Sequence, residues 1–333
     1  MEENYFMGQG SYGCVYRKQL KCINKRKQKQ TKEPRLSKLQ RSKRTAEREI
    51  EVSTAIRKIR NFQLYYSPVL SSCNVDLAQL SKPDISKCDF IKEPTTTATM
   101  FTTETKYIYG ENMNKYMKIA AKHPNIGNKI MLFNTLLINS VKKMAEHNII
   151  HYDLNDGNVL IDTTDRPIII DFGLSILLKK RNQWTEEYAK KTFFFYPFTK
   201  EGALESYEPW AVEIAINSFL VQKIGWNKTI TEPYLEAIKS VSDRYIDGIK
   251  FNVSHQKTLS AIDIQTYKTK KHLLIDKFLN KKVKDIVQDL TEASYHVWDI
   301  YAVGIMTSKY MNFYCPNAIT PEIAETLKSQ ILF

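Results

Sequence analysis

Residues 147–173 read His147-Asn-Ile-Ile-His-Tyr-Asp-Leu-Asn-Asp-Gly-Asn-Val-Leu-Ile-Asp-Thr-Thr-Asp-Arg-Pro-Ile-Ile-Ile-Asp-Phe-Gly173. The apolar runs Val-Leu-Ile and Ile-Ile-Ile have the length of short strands, and turn-forming residues separate them. A hairpin of these strands brings its two ends together, so Asn158 before the first and Asp171 after the second lie side by side. Asp153 lies on the loop that enters the hairpin. The stretch therefore predicts a cluster of oxygen donors, which suits Mg²⁺ rather than zinc.

The spacing of these polar residues resembles the catalytic core of eukaryotic-type protein kinases. That family carries H-R-D-L-x-x-x-N followed by D-F-G, and this chain has His151-Tyr-Asp153-Leu-Asn-Asp-Gly-Asn158 and Asp171-Phe-Gly173. Asp153 lies 5 residues before Asn158 and 18 before Asp171, as in the family. A chance H-x-D in a buried turn is the alternative, and the joint spacing argues against it. The resemblance implies an α+β, two-lobed fold: a small antiparallel β lobe with one helix, and a larger, mainly α-helical lobe.

The N-terminal glycine-rich stretch reads Gly8-Gln9-Gly10-Ser11-Tyr12-Gly13-Cys14-Val15. A dinucleotide-binding fold needs a helix after the third glycine, whereas the residues that follow here favour a strand. Protein kinases cover the phosphates of ATP with a strand, a glycine turn and a second strand. The resemblance implies that these eight residues bind ATP, with Val15 against the adenine. An ordinary glycine-rich hairpin is the alternative.

Lys38 resembles the strand lysine that binds the α- and β-phosphates of ATP, a role that suits a compact charge on a flexible stem. It lies 23 residues after Val15, more than the family usually has, and a basic excursion over 17–35 accounts for the excess. That excursion is either a solvated loop or a contact for nucleic acid or an acidic substrate. Lys32 and Lys43 are the competing lysines.

Residues 44–60 predict a helix with an apolar stripe that includes Val52 and Ile56. Glu49 continues this stripe one turn earlier, so its carboxylate faces inward and needs a positive partner. Lys38 is the predicted partner, as in the Lys–Glu pair of kinases. The two residues are only 11 apart, which is short for the family.

The resemblance implies one protein-kinase-like domain over residues 1–333, with an N-lobe at 1–108 and a C-lobe at 109–333. Asp153 is the predicted catalytic base, with Lys38 and Asn158 as further catalytic residues. Asn158 and Asp171 are the predicted metal ligands. The implied cofactors are ATP and Mg²⁺, with Mn²⁺ as a possible substitute.

Three later segments continue the pattern. Residues 179–198 would be the activation segment, which closes at Ala211-Val212-Glu213, a degenerate form of the family's A-P-E. Asp299 resembles the buried helix residue that binds backbone amides of the catalytic loop. An atypical insert of predicted helical character fills residues 214–298, and the clearest predicted helix covers 127–146.

Composition limits the partners and the compartment. A net charge of +13 favours anionic partners, although a generally Lys-rich composition explains it equally well. The chain has 5 cysteines and no C-x-x-C pair, which predicts a reducing compartment without disulfides or a zinc knuckle. No apolar run is long enough for a membrane span, and the acidic N-terminus lacks a signal-peptide core. We expect an intracellular, cytoplasmic protein. Because the chain is also similar to Ser/Thr kinases of large nucleocytoplasmic DNA viruses, a host cytoplasm or a virion is included.

Three functions are consistent with the sequence. The first is an ATP-dependent protein kinase, with Ser/Thr favoured over Tyr as acceptor. The second is a pseudokinase that serves as a basic scaffold for protein or nucleic acid. Asn155 motivates this second function, because Asn155 replaces a lysine that neutralises the γ-phosphate in Ser/Thr kinases. The third is a kinase-fold enzyme acting on small molecules.

Tyr152 replaces the arginine that pairs with an activation-segment phosphate in many kinases. Without that guanidinium, such a phosphate has no receiver at this position. We therefore expect transfer activity to survive phosphatase treatment, with phosphate on Thr185, Tyr188 and Thr192 followed by mass spectrometry. Loss of activity on removal of a phosphate from one of these three residues would contradict the expectation.

Overall fold

The computed structural model describes residues 5–10, 13–23, 34–91, 99–194, 208–249 and 256–333. The strands are β1 Phe6–Gly10, β2 Gly13–Tyr16, β3 Arg35–Gln40, β4 Ser71–Asp76, β5 Thr99–Lys106, β6 Gly110–Asn112, β7 Ile149–Ile150, β8 Val159–Asp162, β9 Pro167–Ile169 and β10 Ile176–Leu177. The helices are α1 Lys43–Ile56, α2 Lys82–Ser86, α3 Met113–Ala120, α4 Ile126–Ala145, α5 Glu186–Thr192, α6 Val212–Phe219, α7 Glu232–Gly248, α8 Ala261–Asp276, α9 Val283–Tyr314 and α10 Pro321–Ile331.

The contacts divide the chain into two compact units. The N-terminal unit comprises Met1–Asn112 together with Asn158–Leu177, and the C-terminal unit comprises Met113–Gly157 together with Leu178–Phe333. The chain therefore returns to the N-terminal unit for the hairpin that was predicted after Asn158.

An antiparallel sheet of five strands, in the order β1-β2-β3-β5-β4, forms the main layer of the N-terminal unit. A second sheet, in the order β6-β8-β9, contains the predicted hairpin, which is confirmed by the pairing of Val159 with Ile169. The turn between β8 and β9 is held by the carboxylate of Asp162, which accepts hydrogen bonds from the backbone N–H groups of Thr164 and Arg166. The predicted antiparallel sheet with an accompanying helix is thus present.

Helix α1 is the helix of the N-terminal unit that carries Glu49. The predicted inner stripe is confirmed, since Glu49, Val52 and Ile56 are all buried. The predicted end at residue 60 is wrong, because the helix stops at Ile56 and the chain then turns through Asn61, which has a left-handed φ of 60°.

The prediction that the cysteines form no disulfides is wrong. Disulfides join Cys14 to Cys88 and Cys22 to Cys73, and Cys315 is free. The paired residues are 74 and 51 positions apart in the chain, so local spacing carries no trace of the pairing. The fold brings them together, as shown by the bridge between Cys22 and Val75 on β4. The cysteine count therefore no longer supports a reducing compartment.

The C-terminal unit is helical. Its predicted helix over 127–146 is confirmed as α4, which packs against α9. Helix α9 has 32 residues and runs from the predicted insert through the predicted Asp299 helix without a break. Thr320 caps the last helix, α10, since its hydroxyl accepts a hydrogen bond from Ile323 N. Among the described ranges, no helix is both long and apolar enough to cross a membrane.

Reduction of the two disulfides should destabilise the N-terminal unit. Both bonds close long loops, and a disulfide of this kind contributes about 2–4 kcal/mol, chiefly by restricting the unfolded chain. We expect a reductant to lower the denaturation midpoint in a urea titration of the Cys315→Ser variant, which keeps both disulfides. The same variant without reductant should match the wild type. An unchanged midpoint after complete reduction, verified by thiol counting, would contradict the prediction.

Candidate active site

The ammonium group of Lys38 is held between two carboxylates in the N-terminal unit. Its Nζ lies 2.8 Å from Asp171 Oδ1 and 3.6 Å from Glu49 Oε2. Strand β3 supplies the lysine, α1 supplies Glu49, and the end of the β8–β9 hairpin supplies Asp171. The predicted Lys38–Glu49 ion pair is thus present, although the two residues are close in sequence.

The charges of this cluster depend on one another. Burial by itself lowers the pKa of Lys38, but Glu49 and Asp171 outweigh it, and the pKa lies above its usual value. Burial raises the pKa of Glu49, and the neighbouring Lys38 opposes that shift. Gln40 adds support, since its Nε2 donates to Glu49 Oε2 at 2.9 Å and to Thr103 Oγ1 at 2.8 Å. Lys38 therefore remains charged between the two carboxyl groups.

A cavity in the N-terminal unit opens beside Lys38. Its volume is about 120 Å³, below the ~300–1,000 Å³ of a typical small-molecule site, so it encloses only part of a nucleotide. Apolar side chains supply one part of the wall and polar residues supply the rest: Val15, Leu36, Ile108, Leu160 and Ile170, then Lys38, Glu49, Ser67, Thr105, Lys106 and Asp171. A lining that combines apolar side chains with the charged Lys38 suits a flat base joined to an anionic group.

The glycine-rich hairpin forms strands β1 and β2, as predicted, while Ser11 and Tyr12 lie outside the described residues. Gly13 is required by packing, because a Cβ there would lie 2.2 Å from the carbonyl oxygen of Leu39. Gly8 and Gly10 have open space where a Cβ would stand.

Two predicted nucleotide-binding side chains of this hairpin are engaged elsewhere. Gln9 exchanges hydrogen bonds with Asp89, and Cys14 is in its disulfide with Cys88. Only the backbone of these two residues is thus left for a nucleotide.

Asn158 and Asp171 lie at one end of the β8–β9 hairpin, as predicted. Ile170 N donates to the backbone carbonyl of Asn158 at 3.0 Å, which sets the two predicted metal ligands next to each other. Asp171 has a left-handed φ of 58°, and its Oδ1 accepts a hydrogen bond from Gly173 N. An amide and a carboxylate fit Mg²⁺, which takes few protein ligands and completes its shell with water and phosphate oxygens. Within the described ranges, no cluster of three or more His, Cys, Asp or Glu residues could hold a metal.

The loop that carries Asp153 is bound to a buried carboxylate of the C-terminal unit. Asp299 on α9 accepts hydrogen bonds from His151 N at 2.7 Å and Tyr152 N at 3.1 Å, as predicted. Burial raises the pKa of Asp299, while His151 and the two amide hydrogen bonds oppose that shift. Tyr152 has a left-handed φ of 68°, which costs a bulky residue about 1–3 kcal/mol and persists only where the surroundings impose it.

Asp153 itself is held by short-range contacts. Its backbone N–H donates to His151 Nδ1 at 3.3 Å. The amide Nδ2 of Asn155 donates to the carbonyl oxygen of Asp153 at 3.1 Å and to its Oδ1 at 3.3 Å. Asn155 therefore orients the carboxylate of Asp153, a role that the sequence did not suggest.

Lys43 and Lys32 are the alternatives to Lys38 as the phosphate-binding lysine. Lys43 begins α1, is exposed and pairs with Glu47, so it takes no part in the cavity. Lys32 lies outside the described residues. In the degenerate A-V-E segment, Glu213 is buried and forms an ion pair with Lys271 of α8, which sequence reasoning missed because 58 residues separate them.

Comparison with known proteins gives two matches. Residues 83–199 match the family model of the ABC1 atypical kinase-like domain, about a third of the chain. A stretch of 56 residues, 17% of this chain, is 39% identical to serine/threonine-protein kinase PKH2 of Candida albicans. The chain spans only 6% of the length of that kinase. Both matches are to kinase-like proteins, and they support a protein-kinase-like family for this chain.

Glu49→Gln should weaken ATP binding. The substitution removes the charge on α1 that pairs with Lys38, so that Asp171 remains as the charged partner of the ammonium group. We expect the Kd of ATP with Mg²⁺, measured by isothermal titration calorimetry, to rise roughly tenfold, or ~1.4 kcal/mol. Glu47→Gln is the matched control on the same helix, since Glu47 is exposed and makes only a surface ion pair. Equal effects of the two substitutions would contradict the role of Glu49.

Proposed function

We propose that this protein is an ATP-dependent protein kinase that transfers the γ-phosphate of ATP to a hydroxyl group of a protein, with serine and threonine as the favoured acceptors. The observation that carries the proposal is the placement of Lys38 between Glu49 and Asp171 beside a partly apolar cavity. A charged lysine kept at the edge of such a cavity is what the binding of a nucleotide phosphate needs.

In this proposal the substrate hydroxyl oxygen attacks the γ-phosphorus of ATP, and the bond to the β–γ bridging oxygen breaks. Asp153 orients the hydroxyl and accepts its proton, which is worth roughly 10²–10⁴ in rate. Lys38 binds the α- and β-phosphates, and ADP leaves with the bridging oxygen. The remaining contribution is positioning and charge neutralisation, which dominate phosphoryl transfer.

Asn158 and Asp171 would hold Mg²⁺, which neutralises charge on the phosphates when it is bound. Asn155 carries no charge, and its amide is already bonded to Asp153. The γ-phosphate therefore lacks the cation that Ser/Thr kinases place at this position, and we infer a slow enzyme.

Several narrower statements stay predictions. These are the preference for Ser/Thr over Tyr, the use of Mn²⁺, a cytoplasmic location, the similarity to kinases of large DNA viruses, and lobes that divide near residue 108. The net charge of +13 also favours an anionic partner, either an acidic protein segment or nucleic acid.

The proposal predicts that labelled γ-phosphate passes from ATP to carrier proteins and that Asp153→Asn abolishes the transfer. The substitution removes the proton acceptor and leaves a side chain of the same shape. Asp276→Asn is the control, because Asp276 is an exposed residue of α8 that pairs with Lys239 on the surface. Incorporation into acidic and basic carrier proteins is measured with Mg²⁺ and with Mn²⁺, and acid hydrolysis of the product identifies the acceptor residue.

Incorporation by the wild type that does not exceed the Asp153→Asn background would contradict the proposal, provided that the protein is folded and binds ATP. That outcome favours the scaffold function. Transfer to sugars or aminoglycosides but not to proteins would favour the small-molecule kinase.

A further inference from the structure

Tyr152 occupies a conformation that its neighbours must impose. It is a bulky residue in the left-handed region, its side chain is only 2% exposed, and it directly precedes Asp153. The peptide group between them contains the Tyr152 carbonyl and the Asp153 N–H. The orientation of that peptide group therefore sets the direction in which the side chain of Asp153 points away from the backbone. Asp299 holds Tyr152 by its N–H and leaves its carbonyl to another partner.

That partner is Trp210. Its indole Nε1 donates a hydrogen bond to the Tyr152 carbonyl oxygen at 2.5 Å, in a buried position. The two rings also pack together, with centroids 4.9 Å apart and planes tilted by 40°. Trp210 is itself fixed, because its carbonyl accepts a hydrogen bond from the Tyr245 hydroxyl of α7 at 3.0 Å.

Further aromatic rings lie close to Tyr152 and Trp210. The Trp298 ring lies 6.4 Å from Tyr152, and Phe193, from the segment after α5, lies 6.1 Å from Trp298. Phe194 reaches Trp210 at 6.4 Å. Buried ring packing of this kind is not removed by a change in charge, so the link between the loop and the segment at Trp210 persists without a modification.

In the described part of the predicted activation segment, three hydroxyl groups that could carry a phosphate are hydrogen-bonded or buried. Thr185 caps α5, with its hydroxyl accepting a hydrogen bond from Tyr188 N, and Thr192 is buried. Tyr188 accepts a hydrogen bond from Lys179 N. Phosphate on these groups would disturb α5 rather than create a new contact to the loop.

We propose that Trp210 is a positioning residue, which holds the Tyr152 carbonyl and thereby aims Asp153 by packing and one hydrogen bond instead of a phosphate-dependent charge contact. The inference rests on the proposed function for its effect on rate. Its effect on the structure of the loop does not depend on that function, so the two can fail separately.

Trp210→Phe tests the inference, because phenylalanine keeps an aromatic ring and removes the N–H donor. Trp184→Phe is the matched control: Trp184 Nε1 also donates to a backbone carbonyl, that of Lys179, but the bond does not involve the Asp153 loop. Two readouts are compared on the full chain. One is hydrogen–deuterium exchange of the amides at 151–157, and the other is kcat and KM for ATP.

For Trp210→Phe we expect exchange at 151–157 to be at least tenfold faster and kcat about tenfold lower. The KM for ATP should stay within twofold, because Lys38 and the cavity belong to the N-terminal unit. Trp184→Phe should leave all three values near those of the wild type. A purely structural role would instead raise exchange throughout the C-terminal unit.

Tyr245→Phe is a second, milder variant for the case in which Trp210→Phe does not fold. It removes only the hydroxyl that holds the Trp210 carbonyl, and we expect a two- to fivefold change in loop exchange. The inference is overturned if the folded variants leave exchange at 151–157 within twofold of the wild type, or if Trp184→Phe has the same effect. A wild type without transfer activity would overturn the proposed function, and the exchange measurement would still decide the role of Trp210.

Discussion

A largely enclosed ammonium group needs counter-charges, and in this protein that constraint organises the N-terminal unit. Lys38 on β3 meets Glu49 from α1 and Asp171 from the β8–β9 hairpin, so three separate pieces of the chain converge on one charge. Taking a single charge out of water without a partner costs far more than one ion pair returns. The strand, the helix and the hairpin are therefore held in register by the group that we assign to phosphate binding.

The C-terminal unit contains a buried carboxylate, which also needs partners. Asp299 accepts hydrogen bonds from two backbone N–H groups of the Asp153 loop. The loop gains a fixed anchor in return, and the strained backbone of Tyr152 is held between that anchor and Trp210. In both units, a charge that cannot be left unpaired fixes the position of residues from distant parts of the sequence.

Patterns with a local physical cause could be predicted from the sequence. The inward carboxylate of Glu49 follows from helical periodicity, and the hairpin ending at Asp171 follows from two apolar runs around a turn. The contact of Asp299 with the loop came from a family resemblance rather than from periodicity. The disulfide partners and the bond from Trp210 to Tyr152 join residues 51 to 74 positions apart, so no short-range pattern contains them. The sequence prediction assigns the two halves of helix α9 to different segments, because the half with Asp299 resembles the kinase family and the first half does not.

The return of the chain to the N-terminal unit has a consequence for the order of synthesis. Lys38 and Glu49 leave the ribosome before Asp171, which follows Lys38 by 133 residues, and the strands β8 and β9 come just before Asp171. Until residue 177 has been made, the N-terminal unit lacks the two strands that pair beside β6 and one of the two carboxylates around Lys38. The N-terminal unit therefore stays incompletely packed during synthesis, while the first helices of the C-terminal unit emerge from the ribosome.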